Sequence, residues 1–286
     1  MRNTTACVLA LLAAAACSKN SATEPKQQPE PATATATEPE LPPHQVFDSP
    51  GAALAKILEQ KPRAIGIGEY HQTTGDPKNV RPPLARFSDD MLETLRTGAS
   101  DLIVETWAEF GACGEVETKV SKEVEVTTER PPDTENAIIA MMMRAQKLGM
   151  HPYVLEMNCK DYEGLLDDNQ EVDFEKMLLL ITNRLAESAE VALSRDGVVA
   201  VYGGSTHNDL YPDPSVADFS YAARVRKAAG GSFVELDLYV PELVEGDELL
   251  KTEPWYPLLA RTSPDHVVLY ERDKGSYILL MRKTTP

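Results

Sequence analysis

The chain has 286 residues, with 45 acidic against 28 basic side chains and a formal net charge of −17. That balance repels the phosphate backbone of nucleic acid and anionic lipid surfaces, and it argues against both as partners while weakly favouring cationic ligands such as metal ions. The length suits a single domain with a sizeable core behind a short leader.

Arg2, the apolar stretch Ala6 to Ala16 and the small residues Ala14, Ala15 and Ala16 form the charged start, apolar middle and small-residue end of an export signal. Cys17 directly after them resembles a bacterial lipobox, which predicts a signal peptide over residues 1–16 and a lipidated Cys17. An ordinary signal cleaved at an Ala-x-Ala site is the alternative. Residues 17–43 are rich in Pro, Thr, Ala and Glu, with no aliphatic residue longer than alanine before Leu41. Such a segment buries too little apolar surface to offset its ordering entropy, so it is expected to be a disordered tether. The expected arrangement is a domain over 44–286 held at the bacterial cell envelope, with only the N-terminal lipid touching the membrane. Once Cys7 and Cys17 are set aside, Cys113 and Cys159 remain. In an exported protein they can form a disulfide or stay as two buried thiols, and sequence leaves that open.

Along the domain, Ala53 to Gln60 reads as a short helix and Ala64 to Gly68 as the first buried strand. Pro82 and Pro83 open a helix in which Leu84, Phe87, Met91, Leu92 and Leu95 recur at helical spacing until Gly98. Leu102 to Glu105 is the second strand, and strand, helix, strand in this order implies parallel pairing. Thr106 to Pro132 reads as a long acidic stretch without helical structure, a lid, a binding loop or a small hairpin excursion. Asp133 and Thr134 then cap a helix to Gly149, in which Met141 to Met143 read as core filler. His151 to Glu156 is a third strand, Phe174 to Ser194 a long helix, and Val198 to Tyr202 a fourth strand buried on both faces. Ser215 to Ala229 reads as a further helix and Ser232 to Tyr239 as an alternating fifth strand. His266 to Tyr270 and Tyr277 to Met281 flank Asp273-Lys274-Gly275 as a β-hairpin. The expected fold is a three-layer α/β/α domain, with a mostly parallel central sheet and an antiparallel C-terminal hairpin at its edge.

The chemistry gathers at predicted strand ends. Gly68-Glu69-Tyr70-His71 follows the first strand, Glu105 ends the second, and Gly203-Gly204-Ser205-Thr206-His207 follows the fourth. The carboxyl ends of strands in an open α/β sheet border the ligand crevice, so Glu69, His71, Glu105 and His207 can converge. Two imidazoles and two carboxylates suit a divalent metal ion or metal-free acid/base catalysis. Residues two apart on extended backbone share a side, which sends Glu69 and His71 into one pocket. Gly66-Ile-Gly68 lacks the third glycine and adjoining helix of a dinucleotide fingerprint. Ser205 half resembles a nucleophile elbow, but His207 stands where its closing glycine belongs, so turn hydrogen bonding is the better account. Glu156, Glu235 and Asp237 either extend the pocket or face solvent.

Gly68-Glu69-Tyr70-His71, Glu105 and Gly204-Ser205-Thr206-His207, in this order over Ala64 to Asp209, resemble the ChaN-like, erythromycin-esterase-like and TIKI/TraB superfamily. ChaN-like members often carry Asp after the first histidine, where this chain has Gln72. The resemblance implies an erythromycin-esterase/ChaN-like fold and a hydrolase acting on a small molecule or peptide. In that reading Glu69, His71, Glu105 and His207 are metal ligands or acid/base groups. It also implies the alternative of a haem- or metal-binding lipoprotein for iron uptake, with Tyr70, Tyr202 or Tyr211 as an axial phenolate.

Overall fold

The computed structural model describes residues 41–108 and 111–284. The expected signal peptide, Cys17 and nearly all of the expected tether lie outside the described residues. One eight-stranded sheet organises the domain, in the order β1 (Gln45–Phe47), β7 (Val267–Asp273), β8 (Ser276–Leu280), β6 (Phe233–Tyr239), β2 (Ala64–Glu69), β5 (Val199–Gly204), β3 (Asp101–Trp107), β4 (His151–Leu155). From β8 to β4 every pairing is parallel, while β7 runs antiparallel to both β1 and β8. The mostly parallel α/β sheet with an antiparallel edge is therefore the fold. The hairpin turns at Gly275, whose φ of +80° is a conformation glycine adopts without strain. The three-residue β1 is too short for a period-two pattern, and it is an element the sequence does not announce.

Two apolar layers sandwich the sheet. On one face, α1 (Pro50–Leu58), α2 (Pro83–Asp90) and α3 (Leu92–Leu95) bring Leu54, Ile57, Phe87 and Leu95 onto Ile65, Ile67, Val104 and Tyr202. Ser49 caps α1 by accepting from the Ala52 amide at 3.1 Å, and Pro50 fills the first helical position, where its missing N–H costs nothing. The expected single helix from Pro82 to Gly98 is two helices, broken at Met91 (φ −128°). The break falls where Gly51 of α1 packs so closely on the Asp90 carbonyl that a Cβ would lie 2.9 Å from it.

After β3 the chain forms α4 (Glu115–Thr128), so the reading of 106–132 as a non-helical excursion is corrected. Glycines and β-branched residues obscured it, yet Val116, Val120 and Val124 recur every four residues and turn toward the second apolar layer. α5 (Thr134–Lys147) follows, burying Met141 in the core but leaving Met143 exposed, so the methionine run fills core only in part. After α6 (Cys159–Gly164) comes α7 (Phe174–Leu193), which lays Met177, Ile181, Leu185 and Ala189 on the other sheet face as an i, i+4 stripe. Its N-terminus is capped by Asp173, which accepts from the Lys176 amide at 3.1 Å.

α8 (Ser205–Asn208) is a single turn directly after β5, and α9 (Ala222–Ala228) comes later. The expected continuous helix over 215–229 is instead a 3-10 turn, Ala217–Phe219, followed by α9. The chain is drawn onto α8 between them, where the Tyr221 amide donates to the His207 carbonyl at 2.8 Å. The alternation expected for Ser232 to Tyr239 is also corrected: β6 is buried at every position, Glu235 and Asp237 included. Cys113 and Cys159 are joined by a disulfide, their Cα atoms 5.1 Å apart.

Candidate functional site

Glycines let the site form. A Cβ on Gly68 would lie 2.4 Å from Asn208 Oδ1 and 2.6 Å from the Ser205 Cα, so only a bare backbone lets α8 settle on the strand ends. That turn carries His207 down beside Glu105, which projects across Gly203.

Glu69, His71, Glu105 and His207 are brought together at the carboxyl ends of β2, β3 and β5. Glu69, almost fully buried, accepts from His71 Nδ1 at 2.7 Å and from the Tyr202 hydroxyl on its other oxygen. His71 Nε2 stands 2.6 Å from Arg130 Nη2. A guanidinium only donates, so Nε2 accepts and the proton of the neutral ring sits on Nδ1. The 3.3 Å approach of the same Nη2 to Nδ1 is then no hydrogen bond, because that nitrogen donates to Glu69. Arg130 also lies 3.8 Å from Glu105 Oε1.

Glu105 accepts from the Gly204 amide at 2.6 Å and faces His207 Nε2 at 3.9 Å. Burial by itself raises its pKa, but His207, His71, Arg130 and the Gly204 amide outweigh that and hold it below the ordinary carboxylate value. His207 Nδ1 is 2.9 Å from the Phe219 carbonyl, which only accepts, so this nitrogen carries the proton and Nε2 faces Glu105. Thr182 supports the arrangement, its hydroxyl 2.9 Å from the same nitrogen. The broken helix after Ser215 thus supplies the carbonyl that orients His207.

Arg130 is the member of this cluster that sequence reasoning missed. It is the single basic residue between Lys122 and Arg144, and it stands directly before Pro131 and Pro132. That isolated cation in an acidic stretch was the available signal.

The other candidates sit elsewhere or act differently. Tyr202 lies beneath the site, its hydroxyl pKa pushed well above normal by burial and by Glu69. Tyr70 donates to Asp247 at 2.9 Å, and burial with that carboxylate pushes its pKa up to about 12. Tyr211 points to the Lys274 carbonyl. Ser205 heads α8 and hydrogen-bonds Tyr239. Glu156 is exposed, whereas Glu235 and Asp237 are buried and neither extend the pocket nor face solvent. Glu235 is held by Arg272 and the Leu210 amide, and Asp237 by Asn208 at 3.0 Å.

The cavity between His71, Glu105, Arg130 and Tyr202 has about 10 Å³, room for roughly one water. In this arrangement the hydroxyls of Tyr70 and Tyr202, the expected axial phenolates, each already donate to a carboxylate, Asp247 and Glu69. Among the described residues no group of three or more His, Cys, Asp or Glu side chains is arranged to hold a metal ion. Beside His71 Nε2, where a bound cation would stand, this arrangement has the Arg130 guanidinium.

Fold and site together define an α/β protein with a Glu–His–Arg–Glu–His cluster at the carboxyl edge of its sheet. No protein-family model and no curated protein matches the chain. Among solved structures, the type III effector HopBA1 aligns over 87% of this chain and 100% of its own, at 11% identity and a TM-score of 0.44. A likeness of that degree carries no argument about the site.

Proposed function

We propose that this cluster is a metal-free hydrolytic site of the erythromycin-esterase-like kind, acting on an ester or amide bond in a small molecule or peptide. The observation that carries the reading is the pair of contacts to His71, Glu69 at 2.7 Å from Nδ1 and Arg130 at 2.6 Å from Nε2, which assign the proton to Nδ1 and leave Nε2 the basic nitrogen once Arg130 turns away. In the reaction, His71 Nε2 takes a proton from water as the oxygen attacks the carbonyl, and Glu69 stabilises the imidazolium that forms. Arg130 turns from Nε2 to the developing oxyanion, where a fixed positive charge in a water-poor site lowers the barrier. His207, whose Nε2 faces Glu105 at 3.9 Å, acts as the acid and passes a proton from Nε2 to the leaving alcohol or amine. The products are an acid and that alcohol or amine, which accounts for the water consumed.

The same reading places the protein at the bacterial cell envelope, tethered through a lipid on Cys17. Among the described residues no helix is long and apolar enough to cross a membrane. Incorporation of labelled palmitate into the full chain, lost in Cys17→Ala, tests the anchor. For the chemistry, hydrolysis of p-nitrophenyl acetate should fall by about 10² or more in His71→Ala and in His207→Ala, the usual worth of a positioned acid or base. Full activity in either variant refutes the assignment.

A further inference from the structure

The site is shut by its own chain. Although 31% of the His71 side chain is open to solvent, its Nε2 is covered by Arg130, and the cavity admits about one water. Admitting anything larger requires a wall to move. Most walls are sheet strands or core helices, whereas Arg130 follows the C-terminal end of α4, which buries only Glu117 and Val120. Half of α4 is valine or threonine, which lose side-chain freedom in a helix and form it less readily than straight-chain residues. Few buried contacts and modest propensity mark a segment that opens locally at low cost.

Beyond the packing of Val116, Val120 and Val124 on the second apolar layer, this strap is held at its two ends. At the C-terminal end Glu129, in the left-handed region at φ +48°, accepts from the Thr74 amide at 2.7 Å, and Arg130 grips His71. Ahead of the N-terminal end stands the Cys113–Cys159 disulfide, next to Glu117, whose carboxylate accepts from the Gly111 and Cys113 amides at 3.1 and 3.0 Å. The post to which Cys113 is tied is firm. Asn158 closes a capping box on α6, and Arg184 grips Asp161 through contacts of 2.7 and 2.8 Å. Cys159 is exposed and Cys113 half-buried, so a thiolate can reach the bond.

We propose that Cys113–Cys159 is a redox modification site that sets access to His71. A dithiol reductant cleaves the bond, giving two electrons and two protons. The S–S bond is replaced by two thiols, and the reductant leaves as its own disulfide. Freed at its N-terminal end, α4 loosens and takes Arg130 off His71 Nε2; reoxidation shuts the site. The inference concerns access alone and stands or falls apart from the hydrolytic reading.

The test is the rate at which diethyl pyrocarbonate modifies His71 in the full chain, followed by peptide mass spectrometry, before and after dithiothreitol treatment and removal of the reductant. Reduction should speed His71 modification about tenfold, which corresponds to ~1.4 kcal/mol of weaker closure. Exposed His266 should be unaffected. Cys113→Ser/Cys159→Ser should react at the fast rate with or without reductant, and Arg130→Ala should react fast with its disulfide intact. Equal His71 rates before and after reduction overturn the proposal, as does a slow rate in oxidised Arg130→Ala. Buried His207 reports on unfolding: if it becomes reactive together with His71, reduction melts the domain instead of opening a strap, and the proposal also fails.

Discussion

Replacing Glu105 by Gln tests whether this carboxylate is the countercharge of the site. The substitution keeps the side chain's shape, and its carbonyl oxygen can still accept from the Gly204 amide, now at 2.6 Å. It removes the negative charge and turns an NH₂ donor toward Arg130 and His207, which stand 3.8 and 3.9 Å from Oε1. Removing one member of a buried charge pair costs about 3–5 kcal/mol. Arg130 retains 23% of its side-chain exposure, and water screens part of the penalty, so the lower end applies, about 3 kcal/mol. For a domain of this size that is a fall in Tm of roughly 6–12 °C. The pH dependence carries the sign. The folded-state pKa of Glu105 lies below its unfolded value, so its contribution is complete above about 4.3, the free glutamate value, and is lost as pH falls through the folded value. Urea unfolding of both proteins should therefore show a constant gap from pH 7 to about 5 that shrinks on further acidification, where wild-type Glu105 becomes as neutral as the amide. Adding Arg130→Met to the Glu105→Gln variant should recover part of the loss. Equal stability at pH 7, or a gap that widens toward acid, refutes the countercharge argument.

Burial, reinforced by Glu235, raises the pKa of Asp237 well above normal, so its contribution is full at low pH and is lost as pH rises from about 3.9 through the folded value. Asp237→Asn, neutral throughout and still able to accept from Asn208, should be at least as stable as wild type at pH 8; a loss of more than about 1 kcal/mol there contradicts it. Tyr202→Phe keeps the ring stacked on Phe87 (centroids 4.5 Å apart) but strips the buried Glu69 of a donor, for an expected cost of about 1–3 kcal/mol; an unchanged Tm refutes it. Gly68→Ala places a methyl 2.4 Å from Asn208 Oδ1, so α8 must lift at a cost of about 1–3 kcal/mol, and a crystal structure of the variant should show His207 farther from Glu105.

The sheet was legible because buried parallel strands write themselves as short continuous apolar runs between turn residues, as Ala64 to Gly68 and Val198 to Tyr202 do. The convergence of Glu69, His71, Glu105 and His207 was legible for the same reason, since strand ends border the crevice of such a fold. What sequence concealed depended on distant packing. β6 looked half-exposed because Glu235 and Asp237 alternate with Leu236 and Leu238, and only the tertiary partners Arg272 and Asn208 make their burial tolerable. The break between Phe219 and α9 is set by α8, through the bonds from Tyr221 to His207 and from His207 to Phe219.

Arg130 exposes a deeper asymmetry in what a sequence can reveal. Glu69, Glu105 and His207 are placed by the sheet or by a turn pressed onto it, so their positions follow from strand register and glycine spacing. Arg130 reaches the same point from a thinly packed helix whose placement depends on a disulfide, a capping carboxylate and one backbone bond from Thr74. None of these is a local sequence pattern. Under the proposed hydrolysis, the rigid half of the site, which orients the imidazoles and carboxylates, is the half that has to stay fixed for proton transfer. The half that covers Nε2 has to leave before anything larger than water enters, and a segment held by a few replaceable contacts at its ends is suited to that. The division between what could and could not be read from the sequence thus coincides with the division between the part of the site that must stay and the part that must move.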